Sequence, residues 1–263
     1  VIPCGSPFGV KIFTKGAVIV GISDINSSDG NVNPAKNAGL KKGDVILKAN
    51  DIDIKNNEDI LKITEGSNGE KIKLDCVRGT NQFSTEIQPI KSQAESVYKL
   101  GLWVRDSSAG IGTMTFCNPD DNTFAGLGHG ICDIDTGDIL PVSHGDVVRA
   151  SINGVVKAVR GVPGELKGFF IDGEPMGSLC KNTPVGVFGK ISKPFAEKEK
   201  ITVAMKHHVK KGKAQILTTI SGTVPTFYDI EIKGINYNRF QPSKNMIIEI
   251  TDPNLLNQTG GII

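Results

Sequence analysis

Neither sign of charge dominates this sequence: 30 Lys and Arg stand against 28 Asp and Glu, for a formal net charge of +2. That balance gives no reason to expect nucleic acid or an anionic membrane surface as partner. No apolar run is long enough to cross a bilayer, and no signal peptide opens the chain. Cys4, Cys76, Cys117, Cys132 and Cys180 are scattered and form no C-x-x-C pair, which disfavours a zinc ribbon or a thioredoxin-type site. They read as mostly buried thiols. Of the four histidines, His129, His144, His207 and His208, no two share metal-ligand spacing, so a zinc hydrolase is disfavoured and neither metal nor other cofactor is expected. The chain starts at Val1 rather than Met and stops on the apolar Gly260-Gly261-Ile262-Ile263. Both ends read as cut, so missing targeting segments say nothing about the parent protein.

What is present is glycine, 31 residues of it, with 38% hydrophobics in short Val- and Ile-rich runs, the composition of a turn-rich, mainly β protein. Residues 1–90 read as one unit. Gly9–Phe13 and Gly16–Ile22 are strand-like, with a Thr-Lys-Gly turn between them. A polar loop, Ser27–Asn31, precedes Asn33-Pro34, where Pro at a first helical position and Gly39 as terminator frame a short helix. Asn56 or Asn57 caps a second helix with acidic residues in its first turn. Lys71–Gly79 alternates polar and apolar, and Phe83–Ile90 returns as its partner strand.

Within this unit Ala38-Gly39-Leu40-Lys41-Lys42-Gly43-Asp44-Val45-Ile46 resembles the A-G-L-x-x-G-D-x-I segment of PDZ domains, in the permuted bacterial form attached to proteases. The resemblance implies that a peptide segment or C-terminus adds as an extra strand beside the second helix. It places the carboxylate loop at Ser6–Val10 and the groove strand through Lys11 and Ile12, so Phe8, Gly9, Val10, Lys11 and Ile12 are the candidate peptide-binding residues.

Residues 91–99 are a polar connector, and from Leu100 short strands recur with Gly, Asp, Asn and Pro turns, the pattern of an all-β barrel or sandwich. Expected strands include Val147–Ile152, Gly154–Val159, Gly168–Ile171, Pro184–Lys190, Ile201–Met205, Ala214–Ile220, Tyr228–Ile235 and Asn245–Thr251, with a helical turn at Asp252–Leu256. The most pointed stretch is Gly126-Leu127-Gly128-His129-Gly130, a histidine among glycines before the acidic turn Asp133–Gly137. Glycines there allow a sharp turn and close approach to the imidazole. Such a histidine either exchanges protons with a substrate near neutral pH or only makes hydrogen bonds.

Arg105–Thr113, Gly126–His129, Ile250–Leu256 and Thr259–Ile262, in that order, resemble the stage IV sporulation protein B (SpoIVB) family of serine peptidases, which also carries a PDZ domain ahead of the peptidase. The resemblance implies a PDZ domain over residues 1–90 and a chymotrypsin-like β-barrel peptidase domain over 100–263, incomplete at its C-terminus. It makes His129 the general base and Asp252 the acid that orients it. Asp252 alone, an Asp-Pro after a strand, reads as a routine helix cap. In the family the nucleophile lies in a Gly-Met-Ser-Gly-Ser-Pro motif shortly after Thr-Gly-Gly-Ile, which places it beyond Ile263; the supplied chain is therefore expected to be inactive while the intact protein is an endopeptidase. Ser107 and Ser108 lie upstream of the histidine and are not promoted. The resemblance further implies export to the space between forespore and mother-cell membranes of an endospore former, self-cleavage near the N-terminus, and cleavage of a membrane-bound regulator that leads to late sigma-factor activation. Two other readings stay open: a PDZ binding module with a degenerate, non-catalytic β domain, and a cysteine hydrolase using Cys132 or Cys180 with His129 or His144.

Overall fold

The computed structural model describes residues 1–28, 30–192, 199–236 and 245–261. Asp29 of the expected Ser27–Asn31 loop, and Ile262 and Ile263 of the C-terminal motif, lie outside the described residues. The chain is mainly β, as its composition indicates, with three short α-helices among the described residues. Its contacts resolve two compact units: Phe13–Ser108 with Cys132–Ser143, and Val1–Ile12 with Ala109–Ile131 and His144–Ile263.

In the unit built on Phe13–Ser108, the strands Val45–Ala49, Ile72–Arg78 and Asn81–Ile87 run antiparallel, and Ala17 and Val18 pair with Ile46 and Val45. Their alternating faces bury Ile19, Ile46, Ile72, Leu74, Cys76 and Ile87 together with Leu40, Ile60 and Leu100. Each such side chain contributes roughly 1.5–3 kcal/mol when fully buried. Helix α1 (Pro34–Asn37) starts where the Asn33 side chain accepts the Lys36 N–H, and helix α2 (Asn57–Gly66) opens on a reciprocal capping box between Asn56 and Asp59. The Gly-Asp of the A-G-L-x-x-G-D motif has a structural task. Asp44 is fully buried, accepts the Lys41 N–H, and takes both Nε and a terminal nitrogen of Arg78, whose guanidinium also donates to Gly39 O. This bidentate pair ties the loop after α1 to the strand Ile72–Arg78.

The expected turn at Thr14–Gly16 is absent: Pro7–Ile22 is one strand. Thr14 is buried, and its hydroxyl donates to Gly16 O (2.6 Å) and Asp106 O (3.0 Å). Gly16 therefore marks an irregularity inside a strand, where the Ile46 carbonyl approaches the backbone, rather than a reversal.

In the other unit, Thr123–Gly126, Gly186–Ile191, Gly177–Thr183 and Val142–Val156 hydrogen-bond in that order, and Val142–Val156 also carries Glu165–Phe170. The two strands expected at 147–159 are one strand with a register shift between Ile152 and Gly154. Ile201–Met205 is not a strand; Ile201 exchanges backbone hydrogen bonds with Val1, and a 3-10 turn follows at Lys206–His208. Among the described residues this segment pairs with no strand, and Ile201, Val203 and Met205 are exposed. A three-stranded sheet of Gly212–Thr218, Thr226–Ile235 and Met246–Ile250 leads into helix α3 (Pro253–Thr259). At the centre of this unit Phe8 meets Phe124 edge to face, with centroids 5.7 Å apart.

Candidate active site and peptide groove

His129 follows two residues of positive φ, Leu127 (70°) and Gly128 (78°), in a turn where the Leu127 N–H bonds Thr113 O and the Gly128 N–H bonds Gly126 O. The imidazole is exposed, and its Nδ1 lies 2.9 Å from Gly130 O. A carbonyl oxygen can only accept, so Nδ1 carries the hydrogen and Nε2 of the neutral ring is left as an acceptor. A general base in acyl transfer requires that protonation state.

His129 borders a trough of about 930 Å³, walled by Ala109–Thr113 on one side and Gly164–Phe170 on the other, with Leu127 and Ile152 completing it. Among the described residues Glu165–Phe170 pairs only with Val142–Val156, which leaves its second edge open. A trough with an open strand edge suits an extended polypeptide, whose main chain can add to that edge.

Asp252 lies in the same unit but does not touch His129. Its Oδ1 accepts the N–H groups of Asn254 (2.9 Å) and Leu255 (3.1 Å), capping α3. No ion pair joins it to the imidazole among the described residues. The other end of α3 approaches the trough: Thr259 O accepts the Ala158 N–H, and Ala158 packs against Gly164 of the trough wall.

The acidic turn after His129 is organised by Arg105. Asp133, 2% exposed, accepts the N–H groups of Asp135 and Thr136 and a guanidinium N–H of Arg105; a second guanidinium nitrogen reaches Asp135 at 2.7 Å. Burial pushes the Asp133 carboxyl upward, but the two backbone amides and the Arg105 charge outweigh it and hold it below the usual range. Among the described residues no group of three or more His, Cys, Asp or Glu could hold a metal ion.

The segment expected to form the peptide groove is largely buried. Of the expected loop, Pro7–Val10 is strand; Phe8, Val10 and Ile12 are 1–2% exposed, and a Cβ at Gly9 would lie 2.6 Å from both Phe170 and Val148. Only Lys11 of the five reaches solvent, its Nζ 5.7 Å from the Phe170 ring. Phe8, Gly9, Val10 and Ile12 are thus packed in the interior of their unit. A groove of about 520 Å³ lies instead along α2, between Asn57, Ile60, Leu61 and Thr64 and the segment Leu100–Val104. The Asn57 N–H donates to Asp106 Oδ2 at 2.9 Å, stapling the start of α2 to the strand that forms the opposite wall. The Leu100-Gly101-Leu102 sequence, apolar residues flanking a glycine of φ 66°, was the available signal for this wall.

Comparison with known proteins places these features. Residues 33–78 match the PDZ domain. Among solved structures, the PDZ domain of the SdrC-like protein from Listeria monocytogenes shares 15% identity, covering 34% of this chain and 87% of that one, with a TM-score of 0.28. No curated protein matches the chain. Residues 96–263, well over half of the sequence and including the His129 turn, the trough and Asp252, match the SpoIVB peptidase S55 family. The chain thus belongs to the SpoIVB peptidase S55 family of serine peptidases, with a PDZ domain ahead of a β-rich peptidase domain.

Proposed function

We propose that His129 is the general base of a serine endopeptidase, that Asp252 is the acid that stabilises its imidazolium, and that the trough beside His129 receives the substrate main chain. The observation that carries this reading is the Nδ1 contact with Gly130 O, which leaves Nε2 free to take a serine proton at the mouth of the trough. The nucleophile is assigned, on the family resemblance, to the first serine of the Gly-Met-Ser-Gly-Ser-Pro motif that follows Thr-Gly-Gly-Ile in the family. When that hydroxyl attacks the scissile carbonyl, Nε2 takes its proton and later returns it to the leaving amine. On the resemblance, Asp252, whose Oδ1 caps α3, stabilises the imidazolium by its charge while Gly130 O keeps the Nδ1–H. The groove between α2 and Leu100–Val104 takes an extended peptide segment or C-terminus by strand addition.

On the resemblance, the substrate is a membrane-bound regulator whose cleavage leads to late sigma-factor activation, and the site of action is the space between the two membranes of the developing spore. The test is a paired assay of the parent reading frame and its His129→Ala variant, following self-cleavage and casein hydrolysis. Turnover in the first and none in the second is expected. The separation of His129 from Asp252 favours a second reading, a PDZ binding module with a non-catalytic β domain. Absence of turnover in both proteins, with peptide binding intact, would establish it.

A further inference from the structure

Among the described residues no side-chain hydrogen bond or ion pair orients His129, whose ring is held by the backbone carbonyl of Gly130. That backbone is held by one side chain remote in sequence. Asn182, on the strand Gly177–Thr183, donates from Nδ2 to Ile131 O (2.7 Å) and accepts at Oδ1 from the Ile131 N–H (2.8 Å). The amide thereby satisfies both main-chain groups of one residue, as a neighbouring strand would. The Ile131 N–H belongs to the same peptide unit as Gly130 O. A peptide unit is planar, so fixing the direction of its N–H fixes the direction of its carbonyl. The carbonyl fixed in this way is the one that takes the His129 Nδ1–H.

The same hairpin supports the turn on the other side of His129. Thr183 and Gly186 close it, with the Thr183 hydroxyl donating to Gly186 O at 2.8 Å. Val187, fully buried, pairs with Gly126. A Cβ at Gly186, whose φ is 137°, would stand 2.8 Å from Gly126 O and 3.4 Å from Gly128 N, so only glycine lets the hairpin tip come this close. The tip thus brackets the histidine, touching Gly126–Gly128 before it and Ile131 after it.

We infer that Asn182 is a positioning residue that, through the Gly130–Ile131 peptide plane, sets the tautomer and orientation of His129. The inference rests on the reading of His129 as the base, but its first readout does not require activity. Long-range ¹H–¹⁵N NMR on the 263-residue chain reports which imidazole nitrogen carries the proton at a pH where His129 is neutral. The wild-type ring is expected as the Nδ1–H tautomer. In Asn182→Ala the carbonyl is no longer held and the Nε2–H form grows in. Asn182→Asp keeps the acceptor for the Ile131 N–H and restores most of the Nδ1–H form, whereas Asn182→Leu, of similar volume but without the acceptor, does not; a role in packing alone would have both restore it. In the parent reading frame Asn182→Ala lowers kcat by about 10–100-fold with KM within about twofold, the loss expected when a reacting group is misplaced by a fraction of an ångström to an ångström. A wild-type Nε2–H tautomer, or an Nδ1–H tautomer and kcat unchanged in a folded Asn182→Ala, overturns the inference. If Asn182→Ala does not fold, the wild-type tautomer and its retention in Asn182→Asp decide. An inactive parent with the tautomer shift intact would refute the peptidase reading alone.

Discussion

Phe8→Ala separates a core residue from a ligand-binding one. The ring is 1% exposed and packs edge to face on Phe124, and its far edge fills space left by Gly126, whose Cβ would come within 2.7 Å of it. Truncation to a methyl group leaves a void bounded by backbone and by a second aromatic ring, neither free to collapse into it. A loss of about 3–5 kcal/mol follows, with the aromatic pair accounting for about 0.5–1.5 of it. Against a domain stability of about 5–15 kcal/mol this is a large fraction. Urea unfolding followed by far-UV circular dichroism should show a lower midpoint with little change in slope, because the surface exposed on unfolding is nearly the same. Binding of a peptide to the α2 groove, measured well below the unfolding transition, should be unchanged. A variant with wild-type stability that no longer binds peptide would refute the burial argument and return Phe8 to the groove.

Three further outcomes can be checked. The Asp133 carboxyl is held below its usual range, so its stabilisation is complete above the unfolded carboxylate value of about 4 and is lost as pH falls through the lower folded value. Wild type should exceed Asp133→Asn by about 1–3 kcal/mol at neutral pH, with the gap closing in acid; a gap independent of pH in urea titrations would count against the Arg105 clamp. Native-state titration with a thiol reagent should modify Cys132 and Cys180 quickly, while Cys76, pushed up to about 12 chiefly by burial, and the buried Cys4 and Cys117 react only on unfolding. More than two fast thiols would contradict the packing. Leu61 is 55% exposed on the α2 wall of the groove, so Leu61→Glu should weaken peptide binding at least tenfold without a change in melting temperature, whereas Lys11→Ala should leave binding unchanged; the reverse result would restore the Phe8–Ile12 assignment.

The sequence by itself determined the features whose causes lie within a few residues of one another. Asn33-Pro34, Asn56 with Asp59, and Asp252-Pro253 start α1, α2 and α3 because a cap acts on amides two or three positions away. The alternation in Ile72–Arg78 announces a strand with one buried face. The glycines around His129 marked a turn that exposes an imidazole, and the turn is there. Tertiary structure decided the rest. Phe8–Val10 is buried on both faces, so no periodicity could say which neighbours cover it, and a glycine lying under Phe170 looks in sequence like a glycine of a loop. Gly16 read as a reversal because its effect depends on Ile46, on a strand that pairs with it only after folding. The groove joins Asn57–Thr64 to Leu100–Val104, and the His129 turn is held by Asn182 from 51 residues away. Such contacts form only when sheet pairing brings distant segments together, and pairing partners are chosen by the packing of the whole unit rather than by any one stretch.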